Sequence, residues 1–248
     1  MRLDVVFGVT ALTPAELNGR VVAVIDVLRA SSSIAAALSN GARAVVPLES
    51  PDEAVTRAKA FERSDVRLAG ERRMLPIPGF DLGNSPREFT REAVNGKTVL
   101  MTTTNGTAAI TTLAGARDVV IASYVNYTAV HTMLRAALRG GADVTLVCAG
   151  RERQFALEDA GCAGRYVRTT ARQLSEIELN DAAQACALID GRYQDELLTL
   201  FEASEHGRAL QQAGFGEDLK ACAAIDSFPV IPLYQDRQIT KLGPDRER

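Results

Sequence analysis

Short runs of β-branched and aliphatic residues alternate along this chain with longer stretches of helical character. This alternation restricts the chain to folds in which strands and helices follow one another. The run Val21–Ile25 is apolar throughout, as is typical of a strand buried on both faces. Alternating strands and helices predict an α/β fold with a mainly parallel sheet flanked by helices on both faces. The predicted strands are 21–25, 44–48, 66–69, 98–102, 118–122 and 143–148.

Helices are predicted between these strands at 31–38, 51–61, 106–113 and 128–138, and a further one opens at Ser85. The second has Ser50 as N-cap, Pro51 in its first turn and Glu53 at the capping-box position.

The last third of the chain has a different texture, because helices follow one another from Leu157 to about Ala224. Extended pieces at 230–234 and 238–241 come after them. We predict a helical C-terminal third within a single α/β domain spanning 1–248, with residues 157–224 as a candidate helical lobe.

Composition excludes several classes of protein. Of 248 residues, 46% are apolar and 24% charged, with a net charge of -3, so neither disorder nor a nucleic-acid or membrane partner is predicted. The segment from Met1 to Phe7 lacks the features of a signal peptide, and we expect a cytoplasmic protein. Four cysteines without a C-x-x-C pair and two histidines do not predict a zinc site. The histidines are interpreted as surface or core residues.

Polar, glycine-containing segments follow four of the predicted strands. They are 26–33, 70–86, 102–107 and 148–159. Because ligands of open parallel sheets bind beyond the carboxyl ends of the strands, these segments predict one shared binding site.

The first segment, Asp26 to Ser33, leads into a helix. Free N–H groups at a helix start attract an anion, and an arginine such as Arg29 can hold phosphate through two parallel hydrogen bonds. Ser31 and Ser32 add hydroxyl groups here. The alternative is that Asp26 only caps the following helix.

The segment from Thr102 to Thr107 favours anion binding, because Thr103, Asn105, Gly106 and Thr107 stand before or at a helix start. Simple helix capping is the alternative. The loop Gly79–Pro86, with Asn84 and Ser85, is either functional or a structural Ω-loop.

Carboxylates recur in the same segments and could hold Mg²⁺, which binds through one or two carboxylates plus a substrate phosphate. Glu158 and Asp159 could instead complement a helix dipole. Cys148 has no histidine near it in the sequence, and position 154 is Gln, so the C-x₅-R pattern of cysteine phosphatases is absent; we interpret it as a small residue lining the site. The acidic candidates are Asp26, Glu71, Asp81, Glu158, Asp159 and Asp226.

These segments, in this order, resemble the signature segments of the 2-phosphosulfolactate phosphatases over roughly residues 3–242. The motifs Gly79–Pro86 and Thr102–Thr107 are the most specific. The sequence departs from the family pattern at Arg73-Met74, where glycine or small polar residues are expected, and after Gly150, where a further glycine is expected. The other matching segments are 26–33, 70–72, 148–150, 157–159 and 226–232.

The resemblance implies an α/β fold of its own type and Mg²⁺-dependent hydrolysis of 2-phosphosulfolactate to 3-sulfolactate and phosphate, a step of coenzyme M biosynthesis. A small anionic phosphate ester is then the substrate, and a homodimer is compatible with the assignment. Rival hypotheses are a phosphatase of this family that acts on another small phosphorylated hydroxy acid, and a non-catalytic anion-binding protein.

The mechanistic hypothesis assigns a role to each candidate. Attack by water with a carboxylate as general base, or by Asp26 through an aspartyl-phosphate, are both left open. The predicted catalytic residues are Asp26, Arg29, Glu71 and Asp159. The predicted Mg²⁺ ligands are Asp26, Asp81, Glu158 and Asp159. The predicted substrate-binding residues are Ser31, Ser32, Arg72 (for the sulfonate), Asn84, Ser85, Thr103, Asn105, Gly106, Thr107 and Cys148.

Overall fold

The computed structural model describes residues 1–8, 12–104, 106–113, 115–152 and 154–243. Within these ranges one sheet contains eleven strands, in the spatial order β5-β4-β6-β3-β11-β10-β7-β2-β8-β1-β9. The strands are β1 (Arg2–Phe7), β2 (Val21–Ile25), β3 (Ala44–Pro47), β4 (Val66–Arg72), β5 (Leu75–Pro76), β6 (Thr98–Thr102), β7 (Asp118–Ala122), β8 (Val144–Cys148), β9 (Glu178–Leu179), β10 (Pro232–Gln235) and β11 (Gln238–Lys241).

The helices cover the sheet and dominate the C-terminal third, as predicted. They are α1 (Pro14–Leu17), α2 (Ala30–Ser39), α3 (Pro51–Ala58), α4 (Arg91–Val94), α5 (Gly106–Thr112), α6 (Tyr127–Arg139), α7 (Leu157–Gln173), α8 (Asp181–Tyr193), α9 (Leu197–Ala203), α10 (Glu205–Gln212) and α11 (Gly216–Ala223). Short 3₁₀ helices occur at Arg63–Asp65, Pro86–Glu88 and Tyr124–Asn126. No helix within the described ranges is long and apolar enough to cross a membrane.

The sheet is built from two parallel blocks, which confirms the predicted mainly parallel architecture. The first block is β4-β6-β3 and the second is β7-β2-β8-β1-β9. The two last strands of the chain, β10 and β11, form an antiparallel hairpin that lies between the blocks.

This hairpin determines how the two blocks meet. The blocks are connected through three consecutive antiparallel pairings, β3–β11, β11–β10 and β10–β7. The strands of one block are therefore antiparallel to those of the other. Twist of roughly 20–25° per strand accumulates across the sheet. The carboxyl ends of β2, β4 and β6 open into the same cavity, which Asp26, Glu71 and Thr103 line. The helix α2 contacts β3, β7, β10 and β11, so it bridges both blocks.

Helices cover both faces of the sheet, as the apolar strands predict. Along β2, Val21, Ala23 and Ile25 belong to one hydrophobic cluster, whereas Val22 and Val24 belong to another. The first cluster includes residues of α6 to α11, and the second includes residues of α2 and α5. The candidate lobe helices α7 to α11 therefore share a core with the strands of the second block.

The sequence analysis missed β1, because Asp4 interrupts its apolar run. In the structure Asp4 lies 2.7 Å from Arg20 Nη1, which compensates the charge. The helix predicted from Ser85 is only the 3₁₀ helix Pro86–Glu88, and the helix predicted to end at 61 ends at Ala58.

The close approach of α7 and α8 depends on Gly164. A Cβ there would lie 1.9 Å from the carbonyl oxygen of Cys186 in α8. We expect Gly164→Ala to lower the free energy of unfolding by about 1–3 kcal/mol or more, because the two helices must move apart.

Gly191→Ala is the matched control, because a Cβ at this position of α8 meets nothing within 4 Å. It should raise stability by up to about 1 kcal/mol, since alanine favours the helix. Urea unfolding of both variants measures the contrast; equal stability of Gly164→Ala and the native chain would contradict the described packing.

Candidate active site

A cavity of about 240 Å³ lies where β2, β4 and β6 end. It adjoins a second cavity of about 530 Å³, and Arg151, Glu152 and His206 line both. The first is lined by Asp26, Leu28, Arg29, Glu71, Arg73, Met74, Asn84, Thr103, Thr104, Arg151, Glu152 and His206. The carboxyl ends of both parallel blocks thus contribute residues to one small site.

Asp26 directly follows β2 and is 6% exposed. Its Oδ1 accepts a hydrogen bond from the Ala30 N–H at 3.3 Å, and its own N–H donates to Ser31 Oγ at 2.9 Å. Burial raises the pKa of the Asp26 carboxyl to about 6, with Glu71 and Glu158 adding to the rise and His206 opposing it. The folded protein therefore disfavours the charged form of the Asp26 carboxyl.

The start of α5 lies against Asp26. A Cβ on Gly106 would lie 2.7 Å from Asp26 Oδ2 and 2.7 Å from Ala30 Cβ, so only glycine permits this approach. Thr103 and Thr107 exchange hydrogen bonds of 3.2 Å between each hydroxyl and the other's N–H. Asn105, which we also predicted to bind substrate, lies outside the described residues.

Glu71, at the end of β4, is buried and tied to two loops. Its Oε1 accepts from the Thr104 N–H at 2.7 Å and its Oε2 from the Met74 N–H at 2.8 Å. The carboxylate thus joins the loop after β6 to the turn after β4.

Arg29 lines the cavity but is 3% exposed and engaged on several sides. Its Nη1 donates to Asp218 Oδ2 at 2.8 Å and its Nη2 to the Met74 carbonyl at 2.7 Å, while the guanidinium lies over the Phe215 ring. Ser85 Oγ donates to the other Asp218 oxygen at 2.6 Å. Arg29 is thus part of a buried ion pair, and phosphate binding by its guanidinium remains a prediction.

The acidic pair at the start of α7 is also buried. Asp159 accepts one N–H on each oxygen, from Val27 at 2.9 Å and from Gly150 at 3.0 Å. Burial, with Glu158 and Asp26 nearby, raises the pKa of Asp159 well above its usual value. Glu158 Oε1 lies 3.1 Å from His206 Nδ1, whereas its buried Oε2 has no hydrogen-bond partner among the described residues.

The sequence analysis missed His206 as a residue of the site. It lies in the first turn of α10, whose N-cap is Ser204. Its partner Glu158 is 48 positions away, and no local motif connects the two. Asp218 was missed for the same reason, because it meets Arg29 across 189 positions.

Several predicted site residues make contacts outside the cavity. Ser31 Oγ accepts from the Asp26 N–H, and Ser32 Oγ bonds to Val27 and Ser123. Arg72 donates to Thr102 Oγ1 and to the Glu71 carbonyl, each at 2.8 Å. These side chains shape the strand ends.

The predicted Mg²⁺ ligand Asp81 is not brought to the cavity. It forms an ion pair with Arg63 and accepts from the Leu68 N–H at 2.8 Å. Asp226 accepts from the Thr128 N–H and hydroxyl instead. Cys148, the last residue of β8, belongs to the hydrophobic core and lines neither cavity, so it is not placed to bind substrate as predicted. Burial raises the pKa of its thiol well above the usual value.

Both departures from the expected sequence pattern lie in the cavity wall. Arg73, Met74, Arg151 and Glu152 all line it. Within the described part of the chain, no group of three or more His, Cys, Asp or Glu side chains is arranged to hold a metal ion.

Comparison with known proteins matches residues 9–237 to the family model described as 2-phosphosulpholactate phosphatase. A probable 2-phosphosulfolactate phosphatase of Symbiobacterium thermophilum is 42% identical over 93% of this chain and 98% of its own length. One from Caldanaerobacter subterraneus subsp. tengcongensis is 37% identical over 90% of each chain. One from Clostridium botulinum (strain Alaska E43 / Type E3) is 35% identical over 98% of this chain and all of its own.

The raised pKa of Asp26 makes a prediction about stability. Its value of about 6 in the folded protein exceeds the ordinary 3.8, so the folded state binds the proton more tightly. Stability contributed by this group is therefore lost as pH rises from about 4 through about 6. Asp26→Asn should be more stable than the native chain at neutral pH, by up to about 3 kcal/mol, and similar to it near pH 4.

Urea unfolding in metal-free buffer across this pH range measures the difference. Asp143→Asn is a suitable control, because this carboxylate is more exposed, at 38%, and lies outside both cavities. A stability difference for Asp26→Asn that does not change with pH would contradict the raised pKa.

Proposed function

Because the chain belongs to the 2-phosphosulfolactate phosphatase family, we propose that it hydrolyses 2-phosphosulfolactate to 3-sulfolactate and inorganic phosphate. The observation that carries the proposal is the position of Asp26, a buried carboxylate facing a small cavity beside the start of α5. Hydrolysis breaks the bond between phosphorus and the ester oxygen, and water supplies the oxygen that phosphorus gains. The site must therefore hold a dianionic phosphate next to a group that can either attack the phosphorus atom or activate a water molecule for that attack.

We propose Mg²⁺ as the cofactor, because the carboxylates of Asp26 and Glu71 line the cavity and Mg²⁺ prefers oxygen ligands. Mg²⁺ usually binds through one or two carboxylates and the substrate phosphate, so a cluster of three protein ligands is not required. Asp26 and Glu158 fit this role best. Asp26 lines the cavity. The Oε1 of Glu158 lies against His206, and its buried Oε2 meets no hydrogen-bond partner in the described part of the chain.

The other predicted ligands fit less well. Asp159 already accepts a backbone N–H on each oxygen, and Asp81 is paired with Arg63. When bound, the metal would offset the negative charge of phosphate and carboxylates and withdraw electrons from phosphorus.

The protein residues then position the reaction. Thr104 and the turn at Met74 are held by Glu71, which gives this wall of the cavity a defined shape. Asn84 lines the cavity and is a candidate donor to phosphate oxygens. Asp26 either attacks phosphorus itself, forming an aspartyl-phosphate, or accepts a proton from the attacking water.

The first experiment is phosphate release from a panel of phosphorylated hydroxy acids, with Mg²⁺ varied. We expect 2-phosphosulfolactate to be the best substrate and chelation of the metal to abolish release. Faster release from another acid would favour the rival phosphatase of this family. Tight binding without release from any member would favour a non-catalytic anion-binding protein.

The role of Asp26 has its own test. Asp26→Asn should reduce kcat by roughly 10²–10⁴-fold, because either route requires the carboxylate. Asp81→Asn serves as the matched control and should retain near-native kcat, since Asp81 lies away from the cavity. Near-native turnover of Asp26→Asn would contradict the proposal.

Rapid quenching with ³²P-labelled substrate then separates the two routes. A labelled protein that forms before free phosphate, and that hydroxylamine cleaves, indicates the aspartyl-phosphate. Release without such a species indicates direct attack by water. The cytoplasmic location, the homodimer and the place in coenzyme M biosynthesis stay predictions.

A further inference from the structure

The turn between β4 and β5 is occupied by two residues with left-handed backbones. Arg73 has φ of 49° and Met74 has φ of 72°, and the flanking residues Arg72 and Leu75 pair antiparallel. Positive φ at both central positions defines a type I′ turn, which strongly prefers Asn-Gly. Neither arginine nor methionine adopts this conformation readily, so the turn is strained.

Two buried charged residues hold this turn in place. Glu71 Oε2 accepts from the Met74 N–H at 2.8 Å, and Arg29 Nη2 donates to the Met74 carbonyl at 2.7 Å. Arg29 is itself fixed by Asp218 at 2.8 Å. Both backbone groups of Met74 are therefore bound, which keeps Arg73 at the cavity although its conformation is unfavourable.

The guanidinium of Arg73 is available for a ligand. Among the described residues it has no hydrogen-bond or ion-pair partner, and it lines the cavity while remaining exposed. Arg29, in contrast, already forms a buried ion pair with Asp218. Arg73 therefore adds positive charge nearer to solvent than the buried Asp26.

An unfavourable residue type in a turn that fixes it beside a binding cavity indicates a role for the side chain, because asparagine would relieve the strain. We propose that Arg73 is a specificity-determining residue that binds the second strong-acid group of the substrate, the sulfonate, while the phosphate lies at Asp26. This inference rests on the proposed function. A planar guanidinium suits the oxygens of a sulfonate, since it can donate two parallel N–H groups.

The test compares two substrates on matched variants. Arg73→Asn removes the charge and suits the turn, whereas Arg73→Lys keeps a charge and the strain. Arg139→Asn is the control, because this exposed arginine at the end of α6 lines neither cavity. The substrates are 2-phosphosulfolactate and 2-phospholactate, which differ only in that the second lacks the sulfonate.

We expect Arg73→Asn to raise KM for 2-phosphosulfolactate by roughly 10- to 100-fold and to change KM for 2-phospholactate by less than about threefold. Arg73→Lys should lose less, and Arg139→Asn should match the native chain on both substrates. The unfolding midpoint of Arg73→Asn should equal or exceed that of the native chain, because the turn is relieved.

Equal losses on both substrates, or no loss on either, would overturn the role of Arg73 while leaving the proposed function intact. If the native chain released no phosphate from either compound, the proposed function would fail instead. Calorimetric binding of 3-sulfolactate and lactate to the native chain and Arg73→Asn then decides the inference without turnover. A preference for sulfolactate that Arg73→Asn abolishes supports it, and an unchanged or absent preference overturns it.

Discussion

Burial of negative charge at the carboxyl ends of the strands is the constraint on which the rest of this structure depends. Asp26, Glu71, Glu158 and Asp159 are each at most 7% exposed. Buried carboxylates need hydrogen-bond donors or a cation, because their desolvation is otherwise too costly. Backbone N–H groups supply part of that compensation, and they come from the loops and helix starts that form the cavity.

The compensation also organises the site. Asp159 joins the segment after β2 to the segment after β8, through Val27 and Gly150. Glu71 joins the segment after β6 to the β4–β5 turn. Asp159 thus connects two loops of the second parallel block, and Glu71 connects two loops of the first. Asp26 differs from these two carboxylates, because its Oδ2 faces Gly106 at the start of α5 and its Oδ1 accepts one N–H, from Ala30. This difference suits Asp26 for contact with a substrate or a metal, whereas Asp159 and Glu71 each join two loops through backbone hydrogen bonds.

Much of the fold could be predicted from the sequence, because β2, β3, β6, β7 and β8 each contain a local apolar run bounded by polar residues. The two-residue strands β5 and β9 are too short to carry such a pattern. The gathering of Asp26, Glu71 and Thr103 at one cavity could also be predicted, since successive strand ends converge in α/β sheets. The strand β1 was hidden by Asp4, whose charge is compensated by Arg20, later in the chain, as well as by the neighbouring Arg2.

The remaining features depend on long-range pairing. The interposed hairpin β10–β11, the Arg29–Asp218 ion pair and the Glu158–His206 contact all join residues that no local pattern relates. Asp81 shows the opposite error, because its motif is polar and rich in glycine yet its carboxylate serves Arg63 and the Leu68 N–H. A sequence motif identifies which residue types are close to a site, and the packing decides which of them face it.

The most direct measurement is the anomalous diffraction of Mn²⁺, used in place of Mg²⁺, in crystals grown with inorganic phosphate. We expect a peak within coordination distance of an Asp26 carboxylate oxygen, with the phosphate bound beside it in the cavity between Thr103 and His206. A metal peak that avoids Asp26 in a crystal with phosphate bound elsewhere would contradict it.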